Sequence, residues 1–166
     1  MPKEFMIVPP GPHYERVLKT GFIAPGNTAV GIAALGVAQA SYELGRAYAA
    51  ERTQGGKPIA EHQLVAKRIF DAYGAIEASR LMLYRAATTI AAGTPDMAAI
   101  YAARVQACRT AAGVTADMMF LHGGNGITTE YPVEKLWRDA QPLQLADGTV
   151  DIVTLQGARH LGEAQA

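Results

Sequence analysis

FLHGGNGITTEYPVEKLWRDAQPLQLADGTVDIVTLQGAR, residues Phe120–Arg159, is the run on which the rest of the chain is arranged. It opens on Gly123, Gly124 and Gly126. A short charged segment follows through Tyr131, Pro132, Glu134, Lys135, Arg138 and Asp139. A turn at Asp147-Gly148-Thr149 then starts a last amphipathic segment. The hundred or so residues before this run read as long alanine-rich helices with little chemistry of their own. An active site in this protein would therefore draw much of its wall from residues 120–159.

Working back from it, Val30, Ala34, Val37, Ser41, Leu44 and Tyr48 recur at spacings of three and four. They predict a helix over about 27–53 that stops at Gly55-Gly56. Gly31, Gly36 and Gly45 each weaken that helix by about 1 kcal/mol, so close contact with a neighbouring helix is their expected benefit. A second helix is predicted over about 60–92 with the stripe Val65, Ile69, Tyr73, Ile76 and Leu83. Thr94-Pro95-Asp96 reads as an N-cap, a first-turn proline and a first-turn acid. It opens a third helix over about 95–121, whose stripe is Met97, Tyr101, Val105, Cys108, Ala112, Thr115 and Met119. Shorter helices follow over about 129–139, with Pro132 in the opening turn, and about 148–162.

Residues 1–19 are expected to be an extended N-terminal arm, because Pro2, Pro9, Pro10 and Pro12 leave few usable amides. No strand signal convinces outside the first dozen residues. Short connections make the long segments antiparallel neighbours, so the predicted fold is all-α, an antiparallel up-down helical bundle over residues 20–166.

Composition narrows the function classes. Fifteen basic residues balance fifteen acidic ones with no basic block, which argues against nucleic acid or an anionic membrane surface. The chain is 49% apolar but only 18% charged, so some polar-poor surface is expected to be covered by another chain. No apolar run approaches the roughly 20 residues that cross a bilayer. The single Cys108 forms no internal disulfide and fits a reducing, cytoplasmic setting; it reads as a buried structural residue. His13 and His160 read as surface residues. No His, Cys, Asp or Glu cluster has metal-ligand spacing, so no metal site is expected.

Several ordered motifs together resemble one family. They are Glu51-Arg52-Thr53-Gln54-Gly55-Gly56-Lys57-Pro58-Ile59 with His62-Gln63, then Gly123-Gly124-Asn125-Gly126. Glu130-Tyr131-Pro132-Val133-Glu134-Lys135 with Arg138-Asp139 follows, and Asp147-Gly148-Thr149 comes last. In order and spacing the chain resembles the C-terminal helical domain of the acyl-CoA dehydrogenase family of flavoproteins, over about 14–162.

The resemblance implies FAD as cofactor, an acyl-CoA as substrate, and a set of site residues. Asp147 matches the position where the family often carries its catalytic glutamate, which removes the α-proton of the thioester. Aspartate keeps the carboxylate but retracts it by roughly 1.5 Å, and a displacement near 1 Å can cost on the order of a hundredfold in rate. Asp before Gly is also a common turn residue. Arg52 matches an arginine that reaches the flavin pyrophosphate of a neighbouring subunit, a task suited to a guanidinium. Gln63, Gly123, Gly124 and Thr149 are the other implied cofactor contacts, and Gly126 would also let backbone approach the dinucleotide. His62 and His122 are placed near it.

The chain departs from the family at four points. Gly55 stands for an aromatic, Phe120 for a glutamine, Asp151 for a glutamine, and Asn27 for an arginine that in some members assists the CoA moiety. Arg138-Asp139 is expected to brace the short helix against the last one. Trp137 is expected in the core or at an interface.

Related proteins also carry an N-terminal helical domain and a central β-domain. The chain is therefore expected to act as a subunit or fragment of a larger assembly, inactive alone. That assembly would be a homo-oligomer, or a hetero-oligomer with a longer acyl-CoA dehydrogenase-like chain. Two alternatives stand beside this: a non-catalytic assembly subunit with a degenerate flavin site, and a subunit of a related flavin oxidase or monooxygenase.

Overall fold

The computed structural model describes residues 11–163. Helix starts at Pro12 and continues to Glu51 as α1 (Pro12–Leu18), a π-helical turn (Lys19–Ile23) and α2 (Ala24–Glu51). The extended arm expected over 1–19 is thus corrected from Pro12 onward, and residues 1–10 lie outside the described residues. Proline is tolerated in a first turn, where its missing N–H has no partner to lose. The π turn ends two residues before Pro25, which likewise has no amide hydrogen to return to the preceding turn. By length and composition alone this continuous helix could cross a membrane, contrary to the sequence expectation. Its small-residue face packs against α3 and α4, as a core helix does.

After α2 the chain makes a hairpin that sequence reading did not anticipate. Strands β1 (Thr53–Gln54) and β2 (Lys57–Pro58) pair antiparallel, Thr53 opposite Pro58 and Gln54 opposite Lys57. Gly55 and Gly56 between them have φ of 64° and 81°. Two positive φ values in a two-residue loop are what the twist of a tight hairpin favours, and glycine supplies them at least cost. The aromatic that the resemblance would put at Gly55 would be strained here, and its Cβ would sit 3.3 Å from His62 Cε1.

A 3-10 turn (Ile59–Glu61) leads to α3 (Gln63–Ala91), then α4 (Met97–Leu121), a 3-10 turn (Gly123–Ile127), α5 (Val133–Leu143) and α6 (Val150–Glu163). The bundle expected from sequence is the fold observed. The cap of α4 lies two residues later than predicted: the Asp96 carboxylate accepts from Ala99 N–H at 3.0 Å.

Helix α3 runs antiparallel to both neighbours, tied by Arg80 to Gln39 at 2.9 Å and by Arg68 to Asp117 at 2.8 Å. Helices α2 and α4 therefore lie parallel, Gly31 against Arg104 and Gly45 against Met118. Helix α4 is the centre of the molecule. Thirteen of its 25 residues are buried, more than one stripe supplies, because α2, α3, α5 and α6 all cover it.

The buried face of α2 is rotated from the expected one. It runs Gly31, Ala34, Ala38, Ser41, Gly45 and Ala49, leaving Val30, Val37 and Leu44 at its edges. Close approach selects the small residues. A Cβ at Gly31 would lie 3.3 Å from Arg104 Cα, whereas one at Gly36 would meet nothing within 4 Å. Only Gly31 and Gly45 serve the contact expected of the three.

On α3, Ile76 and Leu83 are buried as expected, but Tyr73 is half exposed and Leu64, Phe70, Leu81 and Tyr84 face outward. At helical spacing Phe70, Tyr73, Leu81 and Tyr84 share one outer face of α3.

Candidate functional site

The residues singled out by sequence fall into two groups at opposite ends of α2. At its C-terminal end, Arg52 leaves the helix with extended backbone, and its carbonyl accepts from Ile59 N–H at 2.8 Å. Beside it opens a crevice of about 200 Å³ lined by Tyr48, Arg52, Gln54, His122, Gly123 and Gly124, among others. The Arg52 guanidinium, exposed there, forms no hydrogen bond or ion pair with another described residue. Gly123 has φ of 60°, and a Cβ at either Gly123 or Gly124 would meet no atom within 4 Å. An unpartnered cation beside backbone that carries no side chain is a fitting cradle for phosphate oxygens.

Gln63 begins α3 close by in sequence, but it is not part of the crevice wall. His62 Nε2 lies 2.9 Å from the Gln54 carbonyl and fastens the hairpin. Phe120 points outward, 71% exposed, with the Arg68 guanidinium 4.5 Å above its ring. Gly126 is buried against α4, so its role is packing and not approach to a ligand.

Behind the glycines sits a cluster that sequence reading only touched. His122 is buried, its ring stacked on Tyr48 at 4.1 Å and met edge-on by Tyr131 at 5.8 Å. Its Nδ1 lies 2.7 Å from the Met118 carbonyl, which can only accept, so the hydrogen is on Nδ1. Asn125 Nδ2 donates to Tyr48 Oη at 3.1 Å and Tyr131 Oη at 3.4 Å.

Burial pushes the His122 pKa below its ordinary 6.5, only partly opposed by the bond to Met118. The unfolded chain therefore takes up a proton first as pH falls. The stability from neutral His122 is present above pH 6.5 and is lost as pH drops from there through the folded-state value. Urea midpoints taken downward from neutral pH should fall across that window. The His122→Gln protein should lack this part of the slope; an unchanged slope would contradict the assignment.

At the other end of α2, Asp147, Gly148 and Thr149 form the exposed turn between α5 and α6. Asp147 has φ of 50° and Gly148 of 99°. The Asp147 carboxylate has no partner among the described residues. Thr149 caps α6, its Oγ accepting from Ile152 N–H at 3.3 Å. Asp151 is exposed in the first turn of α6.

The turn is wrapped around Arg104, a fully buried arginine of α4 that sequence reading missed. Arg104 Nη1 donates to Asp147 O at 3.2 Å and to Asn27 Oδ1 at 2.5 Å; Nη2 donates to Gly148 O at 2.7 Å and to Ala146 O. Asn27 is itself buried and donates to Ile23 O at 2.8 Å. Arg104 was findable: it shares the face of Tyr101 and Cys108, at three before and four after, so a cation had to lie on the predicted apolar stripe.

About 25 residues of helix separate Asn27 from Arg52, or roughly 37 Å at the usual rise. The structure thus joins Arg52, Gly123 and Gly124 at one end and Asp147 and Thr149 at the other. It does not bring the two groups together within one chain.

The brace expected of Arg138-Asp139 is overturned. Arg138 pairs with Glu134 at 2.8 Å and Lys135 with Asp139, all along the outside of α5. Such i,i+4 pairs are worth only a few tenths of a kcal/mol. It is Cys108 that reaches α5, donating to Leu143 O at 3.3 Å. Burial pushes its thiol up despite the nearby Arg104 charge, as befits an unreactive core residue. Trp137 is partly exposed on α5.

The bundle thus carries a crevice beside Arg52 and the glycine pair at one end of α2 and an exposed carboxylate turn at the other. The chain belongs to the family described as acyl-CoA dehydrogenase, C-terminal domain, which matches residues 16–162. It is 37% identical over 162 residues to the 3-sulfinopropanoyl-CoA desulfinase of Cupriavidus necator, covering 94% of this chain and 40% of that protein. It is 34% identical to the short-chain specific acyl-CoA dehydrogenase of Clostridium acetobutylicum, covering 93% and 40% respectively. Among solved structures, butyryl-CoA dehydrogenase from Megasphaera elsdenii superposes with a TM-score of 0.86 at 29% identity, over 97% of this chain and 42% of that one. The chain spans about two-fifths of the length of the curated relatives it matches.

Proposed function

We propose that this chain supplies the helical wall of an FAD site in a cytoplasmic acyl-CoA dehydrogenase assembly, where the α,β-carbons of an acyl-CoA thioester are oxidised. The observation that carries this is Arg52, exposed and unpartnered among the described residues, beside the open backbone of Gly123 and Gly124. Those residues fit a pyrophosphate, and they would hold the cofactor there. The chemistry that FAD supplies when bound is acceptance of the hydride leaving the β-carbon. This chain's part in the reaction is the α-proton, taken by a carboxylate oxygen of Asp147 at the far end of α2.

Because the two ends lie so far apart, one dinucleotide does not bridge them, and each end belongs to a different site. That supports an oligomer, either of this chain's own kind or with a longer acyl-CoA dehydrogenase-like chain. The exposed apolar residues of α3 are the surface we assign to such contacts.

Native mass spectrometry of the protein taken from its own cells tests the reading. A complex with bound FAD is expected, and Arg52→Gln should weaken flavin retention by roughly 10- to 100-fold, the worth of one or two charge-assisted hydrogen bonds. A complex devoid of flavin would favour a purely structural subunit. Turnover of an acyl-CoA by the 166-residue chain with FAD and no partner would contradict the need for assembly.

A further inference from the structure

We infer that Arg104 is a positioning residue for Asp147: it sets where the carboxylate stands without touching it. The inference rests on the reading of Asp147 as the base.

The turn over 146–148 combines two successive positive φ values with three carbonyls directed into the protein. Asp147 occupies the left-handed region at φ 50°, which Asp adopts as a single turn residue. Gly148 follows at φ 99°. The carbonyls of Ala146, Asp147 and Gly148 converge on one point inside the protein, where three oxygens would repel one another. What stands at that point is the Arg104 guanidinium, 0% exposed.

The pairing saturates the guanidinium. Each terminal nitrogen carries two hydrogens and each meets two acceptors, three carbonyls and the Asn27 amide oxygen in all. Only Nε is left without a partner. Among the described residues no carboxylate pairs with the cation, although one lies on the residue whose carbonyl it holds. With its terminal donors consumed by three backbone carbonyls and the Asn27 amide, Arg104 leaves the Asp147 carboxylate facing outward and unclamped, as a base must be. A further bond, Val150 N–H to Gln144 O at 2.9 Å, closes the loop around the guanidinium.

Asn27 completes the device. At the position where the resemblance would put an arginine, a second guanidinium would face Arg104 in a buried space with no acid to separate them. Asparagine instead offers an oxygen to Arg104 and its NH2 to Ile23 O, linking the first turn of α2 to the Asp147 turn.

The test is hydrogen exchange on the full 166-residue chain, comparing Arg104→Lys and Arg104→Met with the parent. Lysine keeps the charge but has one nitrogen and three donors, so it cannot address four acceptors in a plane. Exchange of the amides over 146–152 should rise by about tenfold or more in Arg104→Met and less in Arg104→Lys, while the α3 amides keep their protection. If Arg104→Met does not fold, Arg104→Lys alone carries the comparison. Unchanged exchange over 146–152, or an equal rise through every helix, overturns the inference.

The second readout is turnover in the flavin-loaded assembly, where Arg104→Lys should lower kcat and leave KM in place. Loosening of the turn with kcat unchanged, in an assembly that Asp147→Asn inactivates, also overturns it. If Asp147→Asn itself leaves turnover intact, the base reading fails at the carboxylate and the positioning role falls with it. That failure is distinguishable, because it appears without any change at Arg104.

Discussion

Asp147→Asn is expected to lower kcat of the flavin-loaded assembly by about 10²–10⁴-fold, the usual worth of a positioned general base. Asparagine has the same shape and cannot take the proton. The substitution should leave the fold untouched for three reasons that the structure supplies. The side chain is exposed, it has no partner among the described residues, and asparagine accepts left-handed backbone at least as well as aspartate. The thermal midpoint should therefore stay within the range of neutral surface changes, about 0.5 kcal/mol. A variant that keeps its midpoint and retains turnover within a few-fold of the parent would remove Asp147 from the mechanism. A variant that loses both would show that the carboxylate also holds the turn together.

Gly126→Ala is expected to have the largest effect on stability of any glycine change in the 123–126 turn. Its φ is unremarkable, so the constraint is space alone. An added Cβ would stand 2.0 Å from the Met119 carbonyl oxygen, 2.9 Å from its carbon and 3.1 Å from His122 Cβ. Backbone cannot swing aside as the end of a flexible side chain can, so the turn itself must move. Overpacking of this kind costs about 1–3 kcal/mol, and Gly126→Ala should reach the top of that range in urea unfolding.

The neighbours provide the controls. Gly123→Ala meets open space but strains φ of 60°, for about 1 kcal/mol, and Gly124→Ala meets neither obstacle and should be close to neutral. A reversal of that order would refute the packing argument. Because His122 and Gly123–Gly124 sit on the displaced backbone, Gly126→Ala should also disturb the crevice at Arg52.

Much of the fold was legible in the sequence. Alanine-rich segments with apolar spacing of three and four, broken by Gly55-Gly56 and Gly93, have few solutions other than long helices joined by short turns. Their antiparallel packing follows from the short connections. Ends were less legible. Asp96 took the cap expected at Thr94, and helix continued through 12–23 because a π turn accommodates Pro25. The hairpin at 53–58 was missed although Gly55-Gly56 is a two-residue turn signal, since strands of two residues carry no periodicity to detect.

Which face of α2 is buried was misread for a related reason. Hydrophobic spacing chose Val30, Val37 and Leu44, but helices that pack this closely bury Gly31, Ala38 and Gly45, and backbone proximity outweighs side-chain hydrophobicity there.

By itself the sequence determined the family, the helical class and the short roster of residues able to do chemistry, because those depend on local spacing and on residue type. Tertiary structure alone decided how that roster is divided. Parallel packing of α2 on α4 sends Arg52 and the glycine turn to one end and Asp147 to the other, and it buries Arg104 under the turn it holds. Spacing places Arg104 on a buried stripe, but no local pattern encodes what it meets there or which end of the bundle each group reaches. A guanidinium surrounded by carbonyls exists only where residues far apart in the chain have already been folded into contact.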